Sequence, residues 1–290
     1  MIPTIPSAIA QDIEAQTGSI IRGFSFSSGG CINHGGKLSG SRGDFFLKWN
    51  DANKLPAMFE TEARGLSLLR SANALAVPEV IHVGQAGVFQ YLLLEHIEPA
   101  GKVRQYWKHF GSGLAALHKN SSDRFGLDHN NYIGSLPQQN TESPSWVEFF
   151  VERRLKVQLI RAHDQGKIDR VSLEKFDALF DKLSSMFPQE PPALLHGDLW
   201  GGNIMTDARG EPCLIDPAVY YGQREADLAM TQLFGGFDNS FLESYGEVYP
   251  LEPGYKERFD LYNLYPLLVH VNLFGGGYLR QVMSVVEKFV

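Results

Sequence analysis

The sequence predicts an α+β fold in two unequal lobes. Residues 1–95 form a small lobe of antiparallel strands with one helix, and residues 96–290 a larger, mainly helical lobe. Three observations predict it. The first hundred residues alternate short apolar runs with turn residues and hold a single stretch of helical spacing. Pro99 and Gly101 interrupt the chain just after the last of those runs and mark a hinge. Beyond the hinge, apolar residues recur at intervals of three and four over several long segments. A chain of 290 residues suits two such lobes.

The elements follow in order. Residues 18–26 lead into the small, polar run Ser27-Ser28-Gly29-Gly30-Cys31-Ile32-Asn33-His34-Gly35-Gly36, a glycine-bearing loop whose bare backbone can approach phosphate. A strand over 44–49 puts Phe45, Leu47 and Trp49 on one face, Phe46 and Lys48 on the other. Over 57–70 a helix aligns Phe59, Glu62, Leu66 and Leu69 in one stripe, so Glu62 is a carboxylate among apolar neighbours while Glu60 points elsewhere. Apolar runs near 80–81 and 88–94 end at the hinge, Glu95-His96-Ile97-Glu98-Pro99. Past it, Trp107, Phe110, Leu114 and Leu117 predict a helix. Residues 121–145 are loose and carry no motif; a helix starts near Trp146, and another carries Leu173, Phe176, Leu179, Phe180 and Leu183, with Ser172 as cap and Pro188 as stop. After Pro191-Pro192 come short apolar runs at 193–195, 203–205 and 212–215, the last two joined by a turn at 207–210. Helices fill the rest from Arg224, with glycine breaks at 235–236 and 275–277.

Composition narrows the function. A net charge of -7 argues against electrostatic capture of nucleic acid or an anionic membrane and favours neutral or cationic ligands. The apolar fraction of 43% suits an ordinary core, and no apolar run approaches the length of a bilayer span. The N-terminus, with Pro3 and Pro6, lacks a basic stretch followed by an apolar one. Cys31 and Cys213 form no framework, so a reducing cytoplasm is the expected location.

The most specific stretch is Leu195-His196-Gly197-Asp198-Leu199-Trp200-Gly201-Gly202-Asn203, followed by Leu214-Ile215-Asp216-Pro217-Ala218. Asp198 and Asn203 stand at the mouth of a hairpin and Asp216 follows its returning strand. Phosphoryl transfer needs an oriented hydroxyl and neutralised phosphates more than covalent help. Asp198 can accept the hydroxyl proton, and Asn203 and Asp216 offer hard oxygen ligands to Mg²⁺. The spacing matches the catalytic loop of a two-lobed protein-kinase-like fold, with His-Gly-Asp and Asp216-Pro217-Ala218 pointing to the small-molecule branch. Lys48 and Glu62 are the expected nucleotide-binding pair. A carboxylate inside an apolar stripe costs desolvation unless something pairs with it. Gly29 and Gly30 would lie at the phosphates, and Glu95, His96 and Ile97 at adenine. Asp227, within Arg224-Glu225-Ala226-Asp227-Leu228-Ala229-Met230, is expected to brace the catalytic loop. Trp200 is either a wall for a sugar or a buried brace.

The run 196–203, with Ile215-Asp216-Pro217-Ala218-Val219-Tyr220-Tyr221-Gly222 and 224–230, resembles the fructosamine kinase family. Met58-Phe59-Glu60, Glu62, Glu95-His96 and Gly29-Gly30-Cys31-Ile32 fit the same resemblance, which spans nearly the whole chain. It implies ATP- and Mg²⁺-dependent transfer to the sugar 3-hydroxyl of a ketosamine, free or on a glycated lysine, with release of the amine as deglycation repair. It implies Asp198 as proton acceptor, Asn203 and Asp216 as metal ligands, and Lys48 with Glu62 at the nucleotide. An aminoglycoside- or choline-kinase-like activity and a non-catalytic nucleotide-binding regulator are the alternatives.

Overall fold

The computed structural model of the chain describes residues 5–27, 33–275 and 277–290, so Gly29, Gly30 and Cys31 lie outside the described residues. Two compact units form: Met1–Tyr106 with Met205–Asp216, and Trp107–Ile204 with Pro217–Val290. The chain therefore passes between units three times, where a single crossing at 95/96 is the expectation from sequence.

The first unit opens with α1 (Ser7–Thr17), then β1 (Ile21–Phe26), β2 (His34–Gly40), β3 (Gly43–Asp51), α2 (Met58–Ser71), β4 (Val80–Ala86) and β5 (Phe89–Glu95). The strands make one antiparallel sheet in the order β1-β2-β3-β5-β4. The expectation of one helix here is corrected to two. α1 buries only Ile9 and Ile13, a stripe too brief to read as a period, and stops at Gly18, whose φ of 63° suits glycine. Its partner is the sheet: Ile9 and Ile13 pack with Leu38, Leu47, Trp49, Tyr91 and Leu93, with Phe45 at the margin. The Tyr91 hydroxyl donates to Asp12 Oδ2 at 2.7 Å. The face of β3 carrying Phe45, Leu47 and Trp49 thus enters this core, which leaves Lys48 on the opposite face.

The second unit takes up α3 (Tyr106–His118), the hairpin β6 (Asn131–Ile133) and β7 (Leu136–Gln138), α4 (Trp146–Phe149), a π-helical stretch (Phe150–Leu155), α5 (Lys156–Asp164), α6 (Arg170–Met186) and β8 (Ala193–Leu195). The cap of α6 is Asp169, whose Oδ1 accepts Ser172 N–H at 2.8 Å, and not Ser172 itself. The first turn of α6 holds too little apolar side chain to register in the period.

β9 (Ile204–Thr206) pairs with β10 (Pro212–Leu214) around a turn that Asp207 Oδ1 holds by accepting the Arg209 and Glu211 N–H groups, each at 2.9 Å. Leu214 N–H donates to Ala76 O at 2.9 Å, which fixes β10 within the first unit. Beside it Cys213 is fully buried, and burial pushes its thiol up to about 12. Because the thiolate is the reactive form, iodoacetamide at pH 8 is expected to leave Cys213 unlabelled in the native protein and to label it after denaturation, as peptide mapping would read.

β11 (Tyr220–Gly222) pairs antiparallel with β8, and α7 (Glu225–Leu233), α8 (Asn239–Val248), α9 (Tyr255–Phe274) and α10 (Gly277–Phe289) complete the second unit. α9 is its centre, buried along most of its length and packed by α7 and α10. Among the described residues, no helix is long and apolar enough to cross a membrane.

Candidate active site

Each unit assembles one group of the residues picked out by sequence. In the first, Lys48 projects from β3 and donates to Glu62 Oε1 of α2 at 2.6 Å and to Asp216 Oδ1. The lysine and glutamate side chains are only 9% and 11% exposed, whereas that of Asp216 is 47% exposed. Burial by itself lowers the Lys48 ammonium, but the charges of Asp216 and Glu62 outweigh it and hold the pKa above the usual lysine value. Glu62 is raised, chiefly by burial and further by Asp216, against the opposing pull of Lys48. Two carboxylates thus share one ammonium, an excess of negative charge that suits a divalent cation on the exposed member, Asp216. Asp216 also takes the left-handed backbone region, with φ of 53°. A non-glycine residue held there is strained, and such strain gathers at functional positions.

In the second unit, β8 delivers His196, Gly197 and Asp198. Asn203 donates its amide to Asp198 O and to Asp198 Oδ2, both at 2.9 Å. That commits the amide nitrogen to Asp198 and turns the amide oxygen, a hard donor, away from it. That oxygen, and separately the Asp216 carboxylate of the first unit, are hard donors of the kind Mg²⁺ takes alongside phosphate oxygens, so the chemistry of each suits the metal.

Asp227 explains how the loop holds its shape. Only 2% exposed, it accepts His196 N–H at 2.7 Å and Gly197 N–H at 2.9 Å. It also takes His118 Nε2–H at 3.2 Å, which leaves His118 Nδ1 to accept the Tyr245 hydroxyl at 2.8 Å. His196, fully buried, accepts Asp198 N–H on Nδ1 at 3.3 Å, and its carbonyl accepts Ala218 N–H at 2.9 Å. Gly197 has φ of 81°, and a Cβ there would sit 2.0 Å from Ala218 O. The glycine of His-Gly-Asp is therefore a steric requirement. Gly197→Ala is expected to lower kcat at least about tenfold through displacement of the neighbouring Asp198, with the circular dichroism spectrum retained.

Trp200 is 40% exposed and is not a buried brace. At the hinge, Glu95 ends β5 opposite Phe45, donates its N–H to Glu79 O at 2.9 Å and accepts Glu79 N–H at 3.1 Å. His96 Nδ1 stands 3.5 Å from Glu98 Oε2. These side chains are spent on local pairs.

Sequence reasoning missed a polar network rooted in residues 121–145. Asn131 donates to Val219 O at 2.9 Å and Gln138 to Ala218 O at 3.0 Å, which clamps the chain just past Asp216-Pro217. Behind it Asn140 donates to Asn131 Oδ1 and accepts from Arg154 NH2, both at 2.8 Å. Arg154 is fully buried, its guanidinium 4.0 Å from the Tyr220 ring centre and 4.5 Å from that of Phe149. The density of Asn and Gln over 130–140 was the one available signal.

The chain is an ATP-dependent phosphotransferase of the protein-kinase-like fold, in keeping with the sheet-borne lysine paired with a helical glutamate in one unit and the His-Gly-Asp loop with its asparagine in the other. The chain belongs to the fructosamine kinase family, whose sequence model matches residues 5–290. It is 41% identical to a probable ketoamine kinase of Synechocystis over 97% of this chain and 95% of that one. It is 40% identical to the chloroplastic protein-ribulosamine 3-kinase of Arabidopsis thaliana, over 90% of this chain and 81% of that one. Among solved structures, a putative fructosamine-3-kinase from Thermobifida fusca superposes with a TM-score of 0.88 at 32% identity, covering 98% of both chains. An aminoglycoside phosphotransferase shares the fold, with a TM-score of 0.66 at 15% identity over 96% of this chain and 98% of that one.

Proposed function

We propose that the protein transfers the γ-phosphoryl group of ATP to the 3-hydroxyl of a ketosamine, a step after which the phosphorylated adduct breaks down and frees the amine. The observation that carries the reading is the Asn203–Asp198 pair, base and metal ligand oriented by one turn, in a chain 40% identical to a protein-ribulosamine 3-kinase.

Asp198 takes the proton of the 3-hydroxyl as that oxygen bonds to the γ-phosphorus and the bond from phosphorus to the bridging oxygen of ADP breaks. Asn203, through its amide oxygen, and Asp216 would hold Mg²⁺, which when bound would offset charge on the phosphates. Lys48 binds the α- and β-phosphates, and Glu62 keeps the ammonium charged and aimed. Asp227 sets the loop that carries Asp198.

The test is ATP-dependent phosphotransfer to ribulosyl-lysine and fructosyl-lysine against an aminoglycoside and choline. Stoichiometric ADP, with loss of ketosamine and appearance of free lysine, is the expected result. Transfer to the aminoglycoside or choline alone would overturn the substrate class.

A further inference from the structure

Trp200 is the start of an exposed aromatic strip on the second unit. Its backbone N–H donates to Asp198 O at 3.2 Å, so its main chain is tied to the residue proposed as base. Its indole lies across Gly202, where a Cβ would come within 2.2 Å of the ring. Glycine at 202 is what lets the ring rest there. Phe234, 42% exposed after α7, meets the indole edge to face at 6.1 Å. His270 of α9 lies 5.1 Å beyond Phe234, and it touches Phe274 at 5.4 Å and Tyr278 at 4.9 Å. Phe274 is 61% exposed. Among the described residues, the exposed phenylalanine and tryptophan side chains of this unit all belong to the strip. Scattered exposed apolar residues need no explanation, but a contiguous run beside a reaction centre marks a binding surface.

What the strip can bind follows from the acceptor. A ketosamine that presents its hydroxyl to Asp198 carries, at its first carbon, a secondary ammonium with whatever hydrocarbon the amine brings. Aromatic faces attract an ammonium through the ring quadrupole and cover methylene groups by apolar contact. We propose that Trp200, Phe234, His270, Phe274 and Tyr278 seat the amine half of the substrate, ammonium first and hydrocarbon arm beyond, and so select ketosamines of amines with a long alkyl or aromatic arm, the side chain of a glycated lysine among them. This rests on the ketosamine reading of the site. His270 suits the role: its Nδ1–H donates to Pro266 O at 2.7 Å, which leaves the Nε2 lone pair as acceptor. Burial holds its pKa below the ordinary histidine value despite the Pro266 bond, so the ring is neutral and does not repel an ammonium.

The experiment compares kcat/KM for three acceptors with one sugar: the bare 1-amino-1-deoxyketose, Nε-ketosyl-lysine and the ketosyl derivative of phenethylamine. The wild-type protein is expected to favour the two arm-bearing acceptors, through KM. In Phe234→Ser and Phe274→Ser that preference should fall about tenfold, toward equality, with thermal midpoints near wild type; Phe274 is exposed enough to be replaced without loss of the fold. Wild-type turnover of all three acceptors with a preference unmoved by either variant overturns the seat and leaves the ketosamine reading intact. Turnover of none overturns both. Variants that keep the preference but dissociate a dimer on a sizing column would assign the strip to self-association and overturn the proposal.

Discussion

Asp198→Ala is expected to lower kcat by roughly 10²–10⁴-fold, the usual worth of a positioned general base, while the affinity for Mg·ATP stays at the wild-type level. The two readouts separate because nucleotide contacts are assigned to Lys48, Glu62 and Asp216, and Asp198 is assigned only the acceptor's proton. Asp216→Ala should do the reverse and weaken the metal-bound nucleotide directly, since it removes one of two proposed metal ligands and the charge that shares Lys48. Calorimetric titration of nucleotide and single-turnover phosphotransfer would read both. Turnover in Asp198→Ala within about threefold of wild type, far short of a lost general base, would reassign the base.

Much of this site was legible because its residues are close in sequence. Asp198 and Asn203 share one turn, so their spacing alone fixes which carboxylate and amide meet. Lys48 and Glu62 were legible for another reason: strand alternation and the helical period each give a residue a face, and a carboxylate in an apolar stripe demands a partner. Elements whose partners are remote were not legible. α1 carries only Ile9 and Ile13 as its buried pair, and what makes it a helix of the fold is the sheet it lies on. Arg154 reads in sequence as any surface arginine, yet it is buried against Tyr220 and Phe149 and holds Asn140, whose hydrogen bonds run through Asn131 to the backbone at Val219. Nothing periodic links such residues, so the stretch 121–145 looked featureless although its amides are fully engaged. The hidden half of the site is therefore the half that positions.

Asp227 shows what that positioning is worth. Asp227→Ala is expected to destabilise the protein by about 2–5 kcal/mol, because it leaves the buried N–H of His196 and the part-buried N–H of Gly197 without an acceptor and His118 without its carboxylate. Asp227→Asn should fall between, since its amide oxygen can still accept from one of the two. Turnover should drop about a hundredfold in the alanine variant, as expected when a base is displaced by around an ångström. Nucleotide affinity should hold, because Lys48, Glu62 and Asp216 keep their own contacts. A general loss of stability predicts a different pattern. Leu183→Ala, which empties a fully buried site on α6, should cost about 2–5 kcal/mol yet leave turnover per folded molecule intact. If Asp227→Ala behaves like Leu183→Ala, with a lower thermal midpoint and unchanged kcat below it, the carboxylate supports the unit as a whole, and the geometry of Asp198 is set elsewhere.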